Sequence, residues 1–476
     1  MIQLINALFG VIFSILEAII TGACDLIVTA SPSKRKEAYN ADFINPGKVL
    51  SSNEKGFCLT GDRCISIKES FSNALVFGGS GSGKSSQILI PSILKMAGPS
   101  SLCIHDPSGE LFEKTSGAMK SIGYSIKVLN YANTAFSENF NPLQRVKNIS
   151  DIKKISKLLI QTPLGTGSKD QFWNSASESL LSIFIRYTIF YTEKQYHTLY
   201  NVLYLLNTFS GSPQKVDKLI VQTKDADLLS DYKAFVAYDS KMLMSFVATV
   251  RTALSIFSDP QIARVTSSDT IDFENFRKEK TILYINNNVN DMKYYSVLSS
   301  IFFEQFFASV MSNLPNEKDL PVFFLLDEAS SLYLNILPTA ISNIRKYNSG
   351  ILQIYQSQSQ LFDLYGVPQG RNIVANSFAK VYMQGQPPET ARELESVLGK
   401  YEYIDIDNNR RTRQLLTMDE IRILKESIIL CGNLPPIKAR MVPYYEQREL
   451  KKLTSISPHQ VEQKNYDNVP EQINIS

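Results

Sequence analysis

Short apolar runs alternate with helix-like stretches along most of this chain, and turn or polar residues bound each run. Apolar runs without alternation are typical of strands that are buried on both faces of a parallel sheet. Strands separated by helices favour an α/β fold with a doubly wound, mostly parallel sheet. The predicted strands are Ala74–Phe77, Ser101–His105, Ser125–Leu129, Lys280–Asn286, Val322–Leu326, Ile351–Tyr355, Phe378–Gln384 and Ser427–Cys431.

The strand pattern disappears between Asp151 and Asp272, where apolar residues recur at helical steps. This spacing predicts an inserted, mostly helical (all-α) domain over 165–268. The segments before and after it, 31–164 and 269–445, then form one sheet-containing domain. After Lys451 the composition is polar, which predicts a flexible C-terminal tail over 446–476.

The first 30 residues are strongly apolar, with polar positions recurring every three or four residues as one narrow stripe of a helix. Ile2–Cys24 is long enough to span a bilayer, although Glu17 near its middle needs other helices or water to face. Lys34-Arg35-Lys36 favour a cytoplasmic carboxyl side. We predict a membrane-anchor helix within residues 1–30. An interfacial helix and a buried helix remain alternatives.

Composition narrows the picture only slightly. A chain of 476 residues exceeds what one core organises, and its net charge of +3 does not indicate nucleic-acid binding. Basic clusters at 34–36 and 410–413 are more typical of solvated faces than of binding patches. The five cysteines and three histidines lack metal-ligand spacing, which predicts a reducing compartment and no structural zinc.

A phosphate-binding loop follows the first predicted strand and opens onto a helix-like stretch. Its glycines let successive N–H groups point inward at phosphates, and the helix start adds partial positive charge. Lys84 is placed to reach the β and γ phosphates, and the Ser85 hydroxyl to ligate magnesium. The predicted nucleotide-binding residues are Gly78, Gly79, Ser80, Gly81, Ser82, Gly83, Lys84, Ser85 and Ser86.

A pair of acids, Asp327 and Glu328, ends the apolar strand Val322–Leu326. An acid in this position can hold Mg²⁺ through its water shell, and a second acid can polarise the attacking water. Without the phosphate loop, the simpler interpretation would be that an acid here only caps the end of a core strand. Together with the phosphate loop it predicts an NTPase that hydrolyses its nucleotide with Mg²⁺, with Ser85 and Asp327 as metal ligands. It also predicts an extra strand between the two motifs.

Three further residues are candidates, each with a simpler alternative. Gln356 ends a predicted strand, where it can sense the γ phosphate or lie in an ordinary turn. Arg345 is either an arginine finger towards a neighbouring subunit's nucleotide or a solvated arginine at a helix end. Asp106 either touches the same crevice or is a turn acid before Pro107. We therefore predict catalytic roles for Lys84, Asp327, Glu328, Arg345 and Gln356.

Several motifs in order resemble the type IV secretion coupling proteins, the TraG/TraD-type ATPases of conjugation within the FtsK/HerA translocase group. The resemblance covers residues 55–445, with Ser108 standing where the family often has lysine. The family also often has two N-terminal membrane helices, whereas this sequence offers one at most. The matching segments are His105–Leu111, Phe140–Leu143, Asp170–Trp173, Leu325–Ala329, Arg345–Tyr347, Gln356–Leu361, Arg413–Leu416 and Pro435–Lys438.

This resemblance implies a RecA-like P-loop NTPase domain, over 31–164 and 269–445, that assembles as a homo-hexamer at the cytoplasmic face of the bacterial inner membrane. It implies an ATP-driven coupling protein that links a relaxase–DNA substrate to a type IV secretion channel and translocates single-stranded DNA during conjugation. Two alternatives stay open. One is a protein-effector coupler or DNA-segregation translocase, and the other is a nucleotide-binding membrane scaffold without turnover.

Overall fold

The computed structural model describes residues 40–164, 171–287, 291–464 and 470–475. The described residues fall into two compact units, one formed by 40–42 with 395–417 and the other by 43–394 with 418–475. The strands are β1 Ala74–Phe77, β2 Ser101–His105, β3 Ser125–Asn130, β4 Thr281–Asn286, β5 Val322–Leu326, β6 Ser349–Tyr355, β7 Ala379–Tyr382, β8 Lys400–Ile404, β9 Arg410–Gln414, β10 Ser427–Cys431 and β11 Ile437–Ala439.

The helices frame these strands in chain order. They are α1 Ile67–Ser70, α2 Ile90–Lys95, α3 Glu110–Ser121, α4 Ile149–Leu164, α5 Gln171–Tyr191, α6 Leu199–Gly211, α7 Pro213–Gln222, α8 Ala226–Val236, α9 Ser240–Leu254, α10 Pro260–Val265, α11 Asn275–Lys278, α12 Met292–Val310, α13 Leu337–Asn343, α14 Gln358–Tyr365, α15 Val367–Ala375, α16 Pro388–Leu398, α17 Met418–Ile423 and α18 Arg448–Thr454.

The larger unit contains a nine-stranded sheet in the order β11-β10-β7-β1-β6-β5-β2-β4-β3. The strands from β7 through β3 in this order pair in parallel, whereas β10 pairs antiparallel with both β7 and β11. All eight predicted strands are present, and the mostly parallel sheet is confirmed. β11 was not predicted, because a strand of three residues with Lys438 at its centre carries almost no periodic signal.

Strand β5 is clamped by aromatic rings from both faces. On one face Phe324 packs against Phe306 and Phe307 of α12, with ring centroids 5.0 and 4.5 Å away. On the other face Phe323 packs against Phe57 and Phe71 at 5.5 and 5.6 Å. Every residue of β5 is buried. This packing fixes the position of whatever follows the strand at its carboxyl end.

Helices α4 to α11 lie between β3 and β4 in the chain. Helix α4 packs against α5 and α9 and buries Ile152, Ile155 and Leu159, so the helical region begins upstream of residue 165. The predicted boundaries of an inserted domain, 165–268, therefore omit a helix that packs with the others. These boundaries remain a prediction.

The C-terminal segment differs from the flexible tail predicted over 446–476. It contains α18, whose Leu450 is buried, and further on the backbone N–H of Ile473 donates to Asn201 Oδ1 at 3.0 Å. Asn201 Nδ2 in turn donates to the carbonyl oxygen of Glu471 at 3.0 Å. The composition of the segment is polar on average, but a few separate apolar side chains, including Ile475, are buried.

The smaller unit is built around the antiparallel hairpin of β8 and β9. Asn40 bridges to Tyr401, and the N–H of Ala41 donates to the carbonyl oxygen of Lys400 at 3.0 Å. Asn408 in the turn adopts φ 61°, a left-handed conformation that asparagine tolerates. A short chain segment thus lies beside an otherwise two-stranded ribbon.

Two earlier expectations meet different outcomes. The predicted anchor helix within residues 1–30 lies outside the described residues, and among those described no helix combines the length and apolarity needed to cross a bilayer.

The cysteines were expected to be reduced, but Cys58 and Cys64 are joined by a disulfide, because an antiparallel bridge places them side by side. Cys103 and Cys431 are free and buried.

Candidate functional site

The phosphate loop leaves β1 at its carboxyl end, as the sequence predicts. Gly81 and Gly83 take φ values of 75° and 87°, which other residues rarely adopt. No atom lies within 4 Å of where a Cβ of Gly79 or Gly81 would stand. Ser80 and Gly81 are exposed. The loop therefore presents its backbone to open space, as a phosphate cradle requires.

The helix after the loop begins with an unusual turn. Ser85–Leu89 is π-helical and leads directly into α2. Pro91 has no N–H to donate to Gln87, and a locally widened helix accommodates that loss. Ser85 and Ser86 lie at the helix start, where unpaired N–H groups attract anions. The Ser86 hydroxyl donates to the Gly83 carbonyl oxygen at 3.2 Å, which ties the loop to the helix.

Lys84 is folded back over the loop. Its Nζ donates to the carbonyl oxygens of Gly78 and Gly79 at 2.8 and 3.0 Å, and only 9% of the residue is exposed. An ammonium group held here stands at the mouth of the loop. Phosphate oxygens are stronger acceptors for it than neutral carbonyl oxygens, because with phosphate both partners of the hydrogen bond are charged.

The two acids lie at the same edge of the sheet as the loop, across one intervening strand. β6 lies between β1 and β5, so the predicted extra strand is confirmed. Phe77 pairs with Tyr355 and Leu326 pairs with Gln353, which places the three strand ends nearly level. Parallel strands end at one edge, and the phosphate loop and the acid pair therefore converge there.

Asp327 is buried, and its surroundings oppose its charge. Burial is the largest cause that raises its pKa to about 7, followed by the charges of Glu328 and Asp106. A hydrogen bond from the Glu328 N–H and the positive charge of Lys84 act in the opposite direction. A carboxylate crowded by acids in a dry site is stabilised by a divalent cation.

The described residues can supply only some of the ligands of a magnesium ion, and the nucleotide phosphates and waters would have to supply the rest. No group of three or more histidine, cysteine or acidic side chains among them is arranged to hold a metal ion. Magnesium usually takes one or two protein ligands together with phosphate oxygens and waters. The Ser85 hydroxyl and Asp327 match that donor set, so the arrangement fits a metal that arrives with its nucleotide.

Glu328 has a left-handed backbone, with φ and ψ both 48°. A non-glycine residue in this conformation stores strain, and such residues cluster at functional sites. Its N–H donates to Asp327 Oδ1 at 3.0 Å, and Gln356 Nε2 donates to its Oε2 at 3.4 Å. The structure therefore joins Gln356 to the acid pair. Lys84, Asp327, Glu328 and Gln356 meet at one edge of the sheet.

Asp106 fulfils the simpler of its two expected roles and also influences the site. Its Oδ2 accepts the backbone N–H of Phe112 at 2.7 Å, so it caps the start of α3. Burial is the main cause that raises its own pKa to about 6, and its charge adds to the raised pKa of Asp327. His105, just before it, contacts the Asp327 carbonyl oxygen through Nδ1 at 2.6 Å.

Arg345 lies away from this cluster within its own chain. It is exposed in the 3-10 turn Ile344–Tyr347, immediately before β6 begins. Because β6 runs from Ser349 to Tyr355, Arg345 is at the amino edge of the strand, roughly 20 Å from the carboxyl edge. Contact with a nucleotide would require the nucleotide of another subunit.

Gln386 supports the site, although the sequence analysis does not single it out. Gln386 is only 6% exposed, and its Nε2 donates to the carbonyl oxygens of Phe77 and Met383 at 2.9 and 2.7 Å. It therefore holds the backbone where the phosphate loop departs from β1. The same carboxyl-edge rule that selected Gln356 applies to this glutamine after β7, and would have found it.

Similarity to known proteins covers nearly the whole chain. The family described as "Type IV secretory system Conjugative DNA transfer" matches residues 30–473. "Protein VirD4" of Rhizobium radiobacter is 26% identical over 410 residues, covering 80% of this chain and 58% of the relative. "Conjugal transfer protein TraG" of Agrobacterium fabrum is 23% identical over 414 residues, covering 80% and 61%. The chain thus spans about three fifths of these relatives' length.

Solved structures agree on the fold. The bacterial conjugative coupling protein TrwBdeltaN70, in a trigonal form with sulphate, has a TM-score of 0.69 at 18% identity, covering 91% of this chain and 98% of its own. TrwB in complex with ADP and Mg²⁺ has a TM-score of 0.65 at 18% identity, covering 90% and 97%. The fold is therefore a TrwB-like P-loop NTPase fold with a mostly parallel central sheet. By its match over residues 30–473, the chain belongs to the type IV secretory system conjugative DNA transfer family.

Proposed function

We propose that this protein is an ATPase that binds ATP with Mg²⁺ at the edge of the sheet formed by β1, β6 and β5. The observation that carries the proposal is the convergence of Lys84, Asp327, Glu328 and Gln356 at this edge. When bound, the Mg²⁺ neutralises developing phosphate charge. The fold likeness to TrwB, solved with ADP and Mg²⁺, supports the same cofactors.

Each residue has a separate task in this proposal. The amides of the loop from Gly78 to Ser86 and the Lys84 ammonium hold the phosphates, and the Ser85 hydroxyl and Asp327 hold the metal. Glu328, which accepts a hydrogen bond from the Gln356 amide, orients and deprotonates the attacking water. Gln356 reports the γ phosphate to the adjoining subunit. Arg345 completes the site of a neighbouring subunit in a homo-hexamer.

The work performed by this ATPase is the coupling of a relaxase–DNA substrate to a type IV secretion channel, with translocation of single-stranded DNA. Family membership and the names of the relatives support this role. The protein acts at the cytoplasmic face of the inner membrane, held by an anchor helix within residues 1–30. The motor domain comprises 31–164 and 269–445, and α4 at its boundary packs against the inserted helical domain over 165–268.

A second candidate keeps the motor and changes the cargo. A relative in Bartonella henselae is named "Type IV secretion system-coupling protein VirD4", 23% identical over 413 residues, which cover 79% of this chain and 63% of the relative. Transfer of an effector protein through the same secretion system is the alternative cargo. A nucleotide-binding scaffold without turnover is disfavoured by the strained, amide-contacted Glu328, which a scaffold does not need.

The test is ATP turnover by the purified protein with and without single-stranded DNA. We expect turnover that DNA stimulates and that Lys84→Ala abolishes, because the ammonium is the main cation at the phosphates. Lys120→Ala, a surface lysine at the end of α3, is the matched control and should turn over normally. Turnover indifferent to DNA would favour the protein-cargo alternative. No turnover in the wild-type protein would favour the scaffold.

A further inference from the structure

The hairpin of β8 and β9 presents one face with a distinct composition. Side chains two residues apart on a strand share a face, and cross-strand partners lie side by side on it. Tyr401 pairs with Arg413, and Tyr403 pairs with Arg411. The two tyrosine rings are neighbours, with centroids 6.1 Å apart. These four side chains, which we call the Tyr-Arg face, form a block of two aromatic rings beside two guanidinium groups.

The Tyr-Arg face is open to solvent. Tyr403 is 40% exposed, and the arginines of β9 are all exposed. β9 carries three arginines and no acid, whereas the acids of the hairpin lie on β8 and in its turn. Arg411 contacts Asp405 through Nε at 2.5 Å, which leaves part of its donor fork directed elsewhere. A positively charged strand lies beside one exposed ring, Tyr403, and one half-buried ring, Tyr401, and this combination complements a ligand that has both phosphates and flat bases.

We propose that the Tyr-Arg face binds single-stranded DNA, with bases stacked on Tyr401 and Tyr403 and phosphates paired with Arg411 and Arg413. Exposed aromatic rings bind the faces of unpaired bases, which a duplex hides within its own stack. Arginine forks match phosphate geometry. The identity of the ligand rests on the proposed DNA-transfer function. The inference adds the contact surface, which lies outside the nucleotide site.

The test uses the full chain and a fluorescein-labelled thymidine oligonucleotide, with fluorescence anisotropy read across a salt series. For Tyr401→Ala/Tyr403→Ala we expect affinity to fall about tenfold or more, because each stacked base contributes substantially. For Arg411→Gln/Arg413→Gln we expect weaker binding and a salt slope shallower by about 1.4, as two phosphate contacts on a single strand are lost. Tyr445→Ala and Arg422→Gln, at exposed positions elsewhere, are matched controls.

The outcomes separate this inference from the proposed function. Circular dichroism melts of each variant establish that the fold is retained. If the wild-type chain binds the oligonucleotide and the Tyr-Arg variants bind it equally well, the inference is overturned while DNA transfer stands. If the wild-type chain fails to bind it at all, both are overturned. Loss confined to the Tyr-Arg variants, with a duplex of the same sequence bound equally by wild type and the tyrosine variant, supports the inference.

Discussion

At the scale of single residues, the backbone of Glu328 carries a clear mark of function. A glutamate held at φ 48° is strained by about 1–3 kcal/mol relative to an ordinary conformation. This backbone conformation places the carboxylate 3.4 Å from the Gln356 amide and beside the buried Asp327. A merely structural turn after β5 would take glycine or asparagine here at lower cost. An acid in this strained position therefore indicates a chemical role.

Replacing this carboxylate isolates that role. For Glu328→Gln we expect kcat for ATP hydrolysis to fall about 100-fold or more, since a positioned general base contributes roughly that factor. Affinity for ATP should be retained, because the phosphate loop is untouched. Steady-state kinetics and binding of a fluorescent ATP analogue measure the two effects separately. Glu389→Gln, at an exposed position of α16, is the control, and equal turnover in both variants would contradict the role.

Asp327 links the chemistry of the site to pH and stability. Its pKa is raised to about 7 in the folded chain from the ordinary value of 3.8, chiefly by burial. The unfolded chain therefore loses this proton more readily. The contribution of Asp327 to stability is complete below pH 3.8 and is lost as pH rises through 7. A group that destabilises the ligand-free protein at neutral pH is expected where a cation is later bound.

The corresponding substitution should stabilise the protein and impair it. For Asp327→Asn at pH 7.5 without nucleotide, we expect Tm to rise, on the order of a few degrees. We also expect magnesium-dependent ATP turnover to be lost. Calorimetry from pH 5 to 8 should show the gain in Tm growing with pH. Asp363→Asn, exposed on α14, serves as the control. A lower Tm in Asp327→Asn would contradict the assigned cost of burial.

At the scale of elements, the C-terminal segment acts as a clasp on the helical region. Asn201 is completely buried near the start of α6 and bonds both the carbonyl oxygen of Glu471 and the N–H of Ile473. These two hydrogen bonds hold the backbone of residues 471–473 and involve none of the side chains of that segment. Ile473 and Ile475 then add apolar burial at 6% and 9% exposure. The helical region therefore gains stability from residues far away in sequence.

Ile473→Asp tests the clasp. A charged side chain in this buried place should lower the free energy of unfolding of the helical region by about 2 kcal/mol or more. The single tryptophan, Trp173 in α5, reports on that region through its fluorescence during urea denaturation. Ile406→Asp is the control, because Ile406 is fully exposed. An unchanged midpoint for Ile473→Asp would show that the segment contributes no stability there.

The sequence predicts the parallel sheet well because buried strands such as β1, β2 and β5 are apolar throughout. It also predicts the residues at the strand ends, since one topological rule places Lys84, Asp327 and Gln356 at a common edge. What it misses depends on individual side-chain contacts. The hydrogen bonds of Asn201 to the C-terminal segment and the disulfide between Cys58 and Cys64 have no periodic signal. The average polarity of a segment does not show whether that segment is solvated or packed against the protein.

At the scale of the whole molecule, the position of Arg345 predicts assembly. Exposed at the amino edge of β6, it is remote from the nucleotide edge of its own chain, so any catalytic role must be exercised on a neighbour. A catalytic Arg345 therefore requires an assembly in which each site combines residues of two subunits. The homo-hexamer of the proposed function is one such ring.

Mixing of inactive subunits tests this arrangement. We expect Arg345→Ala and Lys84→Ala each to lack ATP turnover. Co-expressed chains of the two variants should recover part of it, because a subunit with intact Lys84 then borrows Arg345 from its neighbour. Turnover per subunit is the measurement, and Lys346→Ala, at the next exposed position, should stay active by itself. Failure of every mixture to exceed the sum of its parts would contradict a role in trans.

The most direct test of the whole account is the position of a metal ion in the nucleotide complex. Crystals grown with a non-hydrolysable ATP analogue and Mn²⁺ in place of Mg²⁺ would locate the ion by its anomalous scattering. We expect one peak between Ser85 and Asp327, within about 2.2 Å of the hydroxyl oxygen and of a phosphate oxygen. A nucleotide bound elsewhere, or a metal that contacts neither the Ser85 hydroxyl nor the shell of Asp327, would contradict it.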